Sequence, residues 1–520
     1  MKLSRQSRAA AEVITRGEET FEKWRKTIGL VIGPVVFLVI YFIDIPGLTP
    51  EAHSLFAVIG LVLVFWLTEA IPIPATALLG ALLNVLLGVA SAKVVLAPFA
   101  NPLVFLFIGS FILAEAVTMH GLDRRFSFAI LSVKFFSESP LRLLAAFGLI
   151  SAVASMWISN TAATAMMLPI GIGLLSAIKK AGSDTGDAAT GKAGGFNFDK
   201  YSTAMMLMIA YGASVGGIAT PIGTPPNLIG IGMIGELIGV RISFLKWMTF
   251  ALPITVVMFV FLFLLLGLFG IGRSHSLSGV GRYVREKRLS LGPWGRGEIN
   301  TAFCFGVAVT LWLLPSIVGL VAGKGHALTL LLGARLNAGI VALLAAILLF
   351  ILPVSFKERR FTMSWERAAS IDWGTILLFG GGLSLGALMF STGLAEAFGL
   401  ALTGLTGANS LWSITALAII FGIVLSETTS NTASANMVIP VVIAVAQGMG
   451  VSPMPPALGA VLGASFGFML PVSTPPNAIV YGSGMVPILS MVRKGIIFDI
   501  CGFFIILFSL MVLCPLFGWV

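Results

Sequence analysis

From residue 27 to its end this chain is a succession of apolar runs separated by short polar loops. The runs are continuously apolar, whereas barrel strands would alternate over about 10 residues. Their lengths suit helices, which need about 20 residues to cross roughly 30 Å of hydrocarbon. Candidate spans fall near 27–43, 54–70, 72–90, 101–119, 202–219 with 228–240, 248–271, 299–319, 328–354, 374–392, 456–470 with 477–489, and 495–517. Two more apolar segments, about 141–178 and 409–449, are long and broken in the middle. Read as re-entrant hairpins that enter and leave on one side, they leave eleven crossings and put the termini on opposite sides. The expected fold is an all-α polytopic membrane protein of about 11 transmembrane helices plus two re-entrant hairpins, with two of the helices broken.

Composition agrees and narrows the class. Apolar residues make up 57% and charged residues 10%, less than half the roughly 25% of a soluble domain. The mean hydropathy is +1.01. A soluble enzyme, a disordered chain and a secreted disulfide scaffold are excluded. The net charge of +10 suggests nucleic acid only until its distribution is read. Of 32 Lys and Arg, 27 fall on one face of this topology: before the first span, in 121–142, 179–200, 273–296 and 357–367, and at 493–494. Basic residues collect in cytoplasmic loops, so the N-terminus is expected inside and the C-terminus outside. The first 26 residues are polar and basic with helical potential, and they lack the pattern of a cleaved signal peptide. Cys304, Cys501 and Cys514 sit in apolar spans without metal-ligand or disulfide spacing.

Internal repetition carries the most information. Ser159-Asn160-Thr161 and Ser430-Asn431-Thr432 each lie near the centre of a broken segment, with Pro169 and Pro440 eight residues after the Thr. Downstream of each comes TPPN, Thr224-Pro225-Pro226-Asn227 and Thr474-Pro475-Pro476-Asn477. The separations, 65 and 44 residues, differ by the length of the polar stretch 179–199, read as a loop. The two copies enter from opposite faces. Inverted repeats with interrupted helices mark secondary transporters, whose sites lie at the interruptions.

The chemistry of those interruptions is specific. A Pro-Pro pair removes two N–H donors and cannot continue a helix, so each TPPN divides its span into half-helices. Non-helical backbone at membrane depth is tolerated where protein buries it or it lines a cavity. Half-helix N-termini suit an anion, and released carbonyls suit a small hard cation. Segments 143–178 and 409–492 contain no Lys, Arg or His, and their only acid is Glu427. A bound polyanion would therefore lack a fixed basic partner, and co-bound cations are the natural complement. None of the four His falls in the motifs, which argues against a histidine proton relay. Ser155 and Ser426 each precede their SNT serine by four residues, about one helical turn, so both can face the loop; helix-interior serines also bond their own backbone.

At FWLTEAIPIPATAL, the two SNT segments, TPIGTPPN and LPVSTPPN, the sequence resembles the divalent anion–sodium symporter family, the INDY-type di- and tricarboxylate transporters, along nearly its whole length. The resemblance implies a homodimer working as an elevator. Scaffold helices would occupy 27–139 and 299–408. Transport halves would occupy 140–271 and 409–520, with 1–26 a cytoplasmic segment and 272–298 a basic cytoplasmic linker. It places the substrate carboxylates at Ser159, Asn160, Thr161, Ser430, Asn431 and Thr432, with Thr224, Pro225, Thr474 and Pro475 nearby. One sodium site would use Ser155, Ser159, Asn160 and the backbone at Gly223. Its symmetry mate would use Ser426, Thr429, Asn431 and the backbone at Ser473. The family pattern assigns Glu427 no role, and Glu69 and Glu115 read as helix-end or scaffold acids.

The function these residues imply is sodium-coupled import of C4-dicarboxylates such as succinate, malate and fumarate across a bacterial inner membrane. Sodium-independent dicarboxylate exchange, or transport of citrate or sulfate, is the alternative within the family. A channel would not need paired gates, and no nucleophile–base constellation suggests an enzyme.

Overall fold

The computed structural model describes residues 5–137, 139–184, 197–267, 280–323, 325–398 and 410–520. Among these, nine helices are long and apolar enough to cross a membrane, or ten when the bent pair Ala327–Arg335 and Ala338–Ile351 counts as one span. Two of the nine, Asn160–Lys180 and Leu411–Thr428, are hairpin arms. The remainder coincide with expected crossings, and the span expected at 72–90 is a shorter helix, Ile73–Leu86.

The first span and the basic segment before it form one helix, Arg5–Phe42, of 38 residues. The run at 328–354 looks unbroken by composition, yet its helix bends by 63°. Asn337 restarts it, its Oδ1 accepting from Gly339 N at 2.9 Å. The end of the same run forms a small antiparallel ribbon, Pro353–Ser355 with Arg360–Phe361. The loop expected from 179 begins later, because the hairpin arm Asn160–Asp184 continues into it. Most of that stretch, 185–196, lies outside the described residues, as do 272–279 of the basic linker, which otherwise forms the helix Val280–Ser290. Residues 399–409, at the expected start of the second transport half, also lie outside them.

Each broken segment resolves into two arms. Pro140–Ser155 and Asn160–Asp184 form the first hairpin, and Leu411–Thr428 and Asn431–Gly448 the second. The arms change direction at SNT because Ser159 and Ser430 cap the returning helices, accepting from Ala162 N and Ala433 N at 3.2 Å each. The interrupted spans are Phe198–Gly217 with Pro225–Met233, and Met454–Gly463 with Pro475–Gly482.

Packing interlocks the halves. Phe198–Gly217 lies against both arms of the first hairpin, and Met454–Gly463 against both arms of the second. The half-helices after TPPN cross over: Pro475–Gly482 packs on Asn160–Asp184, and Pro225–Met233 on Asn431–Gly448. A separate apolar core joins Pro50–Thr68, Ile73–Leu86 and Trp373–Ser391, and touches the second hairpin through Ala433, Met437 and Ala444.

Candidate functional site

The crossover brings four chain breaks to one place. Around a cavity of about 580 Å³ stand Ser159, Asn160 and Thr161 from the first turn and Ser430, Asn431 and Thr432 from the second. Gly223, Thr224 and Pro225 line it from one TPPN loop, and Ser473, Thr474 and Pro475 from the other. The facing wall comes from other helices, with Phe107, Ser110, Phe111, Asp372, Thr375 and Leu378. Every residue expected to meet substrate therefore borders a single cavity. Ser155, Ser426 and Thr429 do not border it; they are buried behind the turns.

Both TPPN loops hold the same backbone. Thr224 has φ −141° and ψ 142°, Thr474 φ −144° and ψ 146°, and in each case Pro begins the half-helix. The motif's Asn ties the loop to the end of the preceding helix. Asn227 Nδ2 donates among Gly217 O, Ile218 O and Thr220 O, at 2.7–3.1 Å, and Asn477 Nδ2 between Gly467 O and Leu470 O, at 2.8 and 3.0 Å. The sequence shows this Asn in both motifs, and only the fold gives it this positioning task. Four helix N-termini, at Asn160, Asn431, Pro225 and Pro475, thus open toward the cavity, each carrying about half a unit of positive charge. Among the described residues that line it, none is Lys, Arg or His. The hydroxyl of Thr474 is buried without a hydrogen-bond partner, a free donor at one of these ends.

Behind the first turn, Ser155 Oγ donates to Asn160 Oδ1 at 2.5 Å. A Cβ on Gly217 would fall 2.3 Å from that same Oδ1, and one on Gly223 would fall 2.4 Å from Gly217 O and 2.9 Å from Ser155 O. Only glycine lets these oxygens approach, and the result is a nest of neutral oxygen donors. That donor set fits a hard monovalent cation. Behind the second turn, Ser426 Oγ lies 2.7 Å from Asn431 Oδ1 and 3.0 Å from Ala464 O. The Thr429 hydroxyl donates back to Leu425 O at 2.8 Å, so the structure directs its proton into its own helix.

The second turn has a further member. Glu427 Oε1 accepts from Phe468 N at 2.5 Å and Met469 N at 2.8 Å, and Oε2 accepts from Ser473 Oγ at 2.6 Å. The first half places Met156 at this position. There the matching amides, Ile218 N and Ala219 N, close turns onto Val215 O and Gly216 O at 3.3 and 3.0 Å, and the Thr220 hydroxyl donates to Met156 O. Glu427 is thus a structural acceptor for amides that the second loop leaves free, a role absent from the sequence-based expectation. Glu69 pairs with Arg25 at 3.3 Å and Glu115 with Arg367 at 3.8 Å; Glu115 also borders the cavity.

A polytopic helical bundle with two inverted hairpins, two interrupted spans and one cavity at their meeting point is the architecture of a secondary transporter. Two solved transporters share the fold. YdaH of Alcanivorax borkumensis superposes with a TM-score of 0.53 at 14% identity, covering 96% of this chain and 98% of its own. MtrF of Neisseria gonorrhoeae does so with a TM-score of 0.52 at 12% identity, covering 89% and 95%. The chain belongs to the family of the sodium:sulfate symporter transmembrane region, which matches residues 24–520. Among its curated relatives is the sodium-dependent dicarboxylate transporter SdcS of Staphylococcus saprophyticus, 31% identical over 491 residues, 94% of this chain and 91% of that protein. SdcS of Staphylococcus aureus strain RF122 is 33% identical over 473 residues, 90% of this chain and 87% of that protein. The protein is a multi-pass membrane transporter and not an enzyme.

Proposed function

We propose that this transporter couples inward sodium movement to the import of C4-dicarboxylates such as succinate. The observation that carries the reading is the single cavity bordered by both SNT turns and both TPPN loops, without a basic side chain. A dianion there meets four helix N-termini and the amides and hydroxyls of Asn160, Thr161, Asn431 and Thr432. Sodium supplies the remaining positive charge from behind the turns. The Ser155, Asn160, Gly223 set holds one ion, and the Ser426, Asn431, Ser473 set with Thr429 holds its counterpart. The names of the family and of the SdcS relatives support sodium as coupling ion, and the latter support the substrate class.

The cavity is bordered by the hairpin halves on one side and by Phe107, Ser110, Asp372 and Thr375 on the other. A boundary of this kind suits an elevator, in which segments 140–271 and 409–520 carry the site across the membrane against a fixed scaffold. Two chains would associate through their scaffolds as a homodimer. The basic loops support a cytoplasmic N-terminus and an external C-terminus in the bacterial cytoplasmic membrane.

The test is radiolabelled succinate uptake into empty proteoliposomes with an inward sodium gradient, or with potassium in its place. Uptake only with sodium is the expected result. Uptake that ignores sodium and requires internal dicarboxylate would make the protein an exchanger. Sodium-driven uptake of citrate or sulfate but not succinate would move the substrate assignment.

A further inference from the structure

Apart from the cavity between the hairpins, a hollow of about 550 Å³ is lined by Arg125, Arg285, Arg288, Leu289 and Gly292. All five belong to the basic stretches between spans. Like charges gathered around one hollow repel unless something negative offsets them.

The three arginines are not equivalent. Arg125 lies just past the end of the span Pro102–His120, in the helix Leu122–Leu131. Its Nε and Nη2 donate to the two Glu298 oxygens at 2.9 and 3.0 Å, and its Nη1 donates to Gly292 O at 3.1 Å. Glu298 therefore neutralises Arg125, and this guanidinium braces the wall. Arg285 and Arg288 are three residues apart on the helix Val280–Ser290, so they share a face. Val280 and Val284 are buried and seat that helix, which packs against Leu122–Leu131 and the hairpin arm Asn160–Asp184. Arg288 Nη1 donates to the neutral Ser132 Oγ at 2.8 Å. Among the described residues, Arg285 has neither a hydrogen-bond nor an ion-pair partner. Glu286, the only acid of the helix, does not line the hollow. Two uncompensated guanidinium forks thus face one space, and their geometry matches phosphate oxygens.

The surroundings say what carries the phosphate. Trp294 stands two residues before the span Arg296–Ala322, the headgroup depth that tryptophan favours. It is 53% exposed, and Arg125 lies over its ring at 5.0 Å. Leu289, in the wall itself, is 72% exposed, and Val133, next to Ser132, is 49% exposed. A soluble phosphate would leave these side chains in water, whereas a lipid covers them with its chains. Basic pockets beside membrane helices on the cytoplasmic side suit anionic headgroups.

We propose that Arg285 and Arg288 bind the phosphate of an anionic phospholipid, whose chains lie over Leu289 and Trp294. The site is separate from substrate and sodium. Because the same helix touches both Leu122–Leu131 and a hairpin arm, an occupied site steadies one against the other.

The test compares wild type with Arg285→Gln/Arg288→Gln, two exposed positions, and with Arg359→Gln/Arg360→Gln, which removes the same charge from another loop. The purified full chains would be titrated with short-chain phosphatidylglycerol or phosphatidylcholine, and bound lipid per chain would be counted by native mass spectrometry. Wild type is expected to prefer phosphatidylglycerol. Its affinity should fall about tenfold or more in the first variant and stay at the wild-type level in the second. Equal binding by all three proteins would overturn the proposal. Equal losses in both variants would overturn it in favour of unspecific attraction to basic loops. Inorganic phosphate that raises the melting temperature of wild type and not of the first variant, without any preference between the two lipids, would overturn the lipid in favour of a soluble anion. Should the double variant not purify as a monodisperse protein, Arg285→Gln alone, which breaks no bond, takes its place with the same outcomes.

Discussion

The two hairpin turns spell the same three residues and are held by different chemistry. In the first half the SNT turn rests on neutral groups: Ser155 on Asn160, Thr220 on the Met156 carbonyl, and loop amides that close their own turns. In the second half, Glu427 takes up two loop amides and the Ser473 hydroxyl. The backbones at Thr224 and Thr474 nevertheless agree within a few degrees. Repetition has preserved the path of the chain and the groups that meet the cavity, while the charge behind each turn has diverged. Equal motifs therefore do not make equal surroundings.

The comparison breaks most sharply if the two turns are not both essential. On the proposed binding mode, Asn160→Ala and Asn431→Ala each remove a contact to a cation and one to an anion, at about 1.5–3 kcal/mol apiece. Succinate uptake should fall about 100-fold or more in both, with unchanged elution on size exclusion. Normal uptake by either variant would sink the site assignment.

Exchanging the residues behind the turns tests the asymmetry itself. Glu427→Met strands Phe468 N and Met469 N, while the Ser473 hydroxyl keeps the backbone carbonyl of residue 427 at 3.1 Å; an unsatisfied buried donor costs about 1–3 kcal/mol. Its melting temperature should drop well below that of wild type. Met156→Glu offers a carboxylate to amides already bonded to Val215 O and Gly216 O. It should also destabilise, and a neutral or stabilising result would remove the structural reason for the difference.

A smaller effect separates anion from cation. Thr474→Val deletes the unpartnered hydroxyl at a half-helix N-terminus, worth about 1 kcal/mol. The KM for succinate should rise about fivefold while the sodium dependence of uptake stays put. A shift in sodium dependence instead would place Thr474 on the cation side. Least of all should change in Arg360→Ala. It breaks an exposed pair with Glu358, 2.6 Å apart, of a kind worth about 0–1 kcal/mol, and uptake rates should match wild type.

Much of this was legible in the residues. Apolar run length gave the helical membrane fold, because hydrocarbon demands that backbone polar groups be satisfied within the helix. The paired SNT and TPPN motifs named the cavity residues, because a break at membrane depth stands out against an apolar background. The bend at Asn337 was not legible, since Arg335 and Asn337 are isolated polar residues in a run that otherwise reads as continuously apolar. Asp499 belongs to no motif: it lies just past 409–492, on a helix that otherwise reads as a plain span.

By itself, then, the sequence determined what is local: where helices run, where Pro-Pro and capping serines interrupt them, and which neutral groups sit at the breaks. The tertiary structure decided which breaks meet. Crossing half-helices over to the opposite hairpin brings Asn160 and Asn431, far apart along the chain, to one cavity. Glycines at 217, 223 and 495 let backbone approach backbone. The task of Glu427 depends on amides that one loop closes and the other leaves open. That is a matter of a few degrees and ångströms of packing, and neither spacing nor composition encodes it.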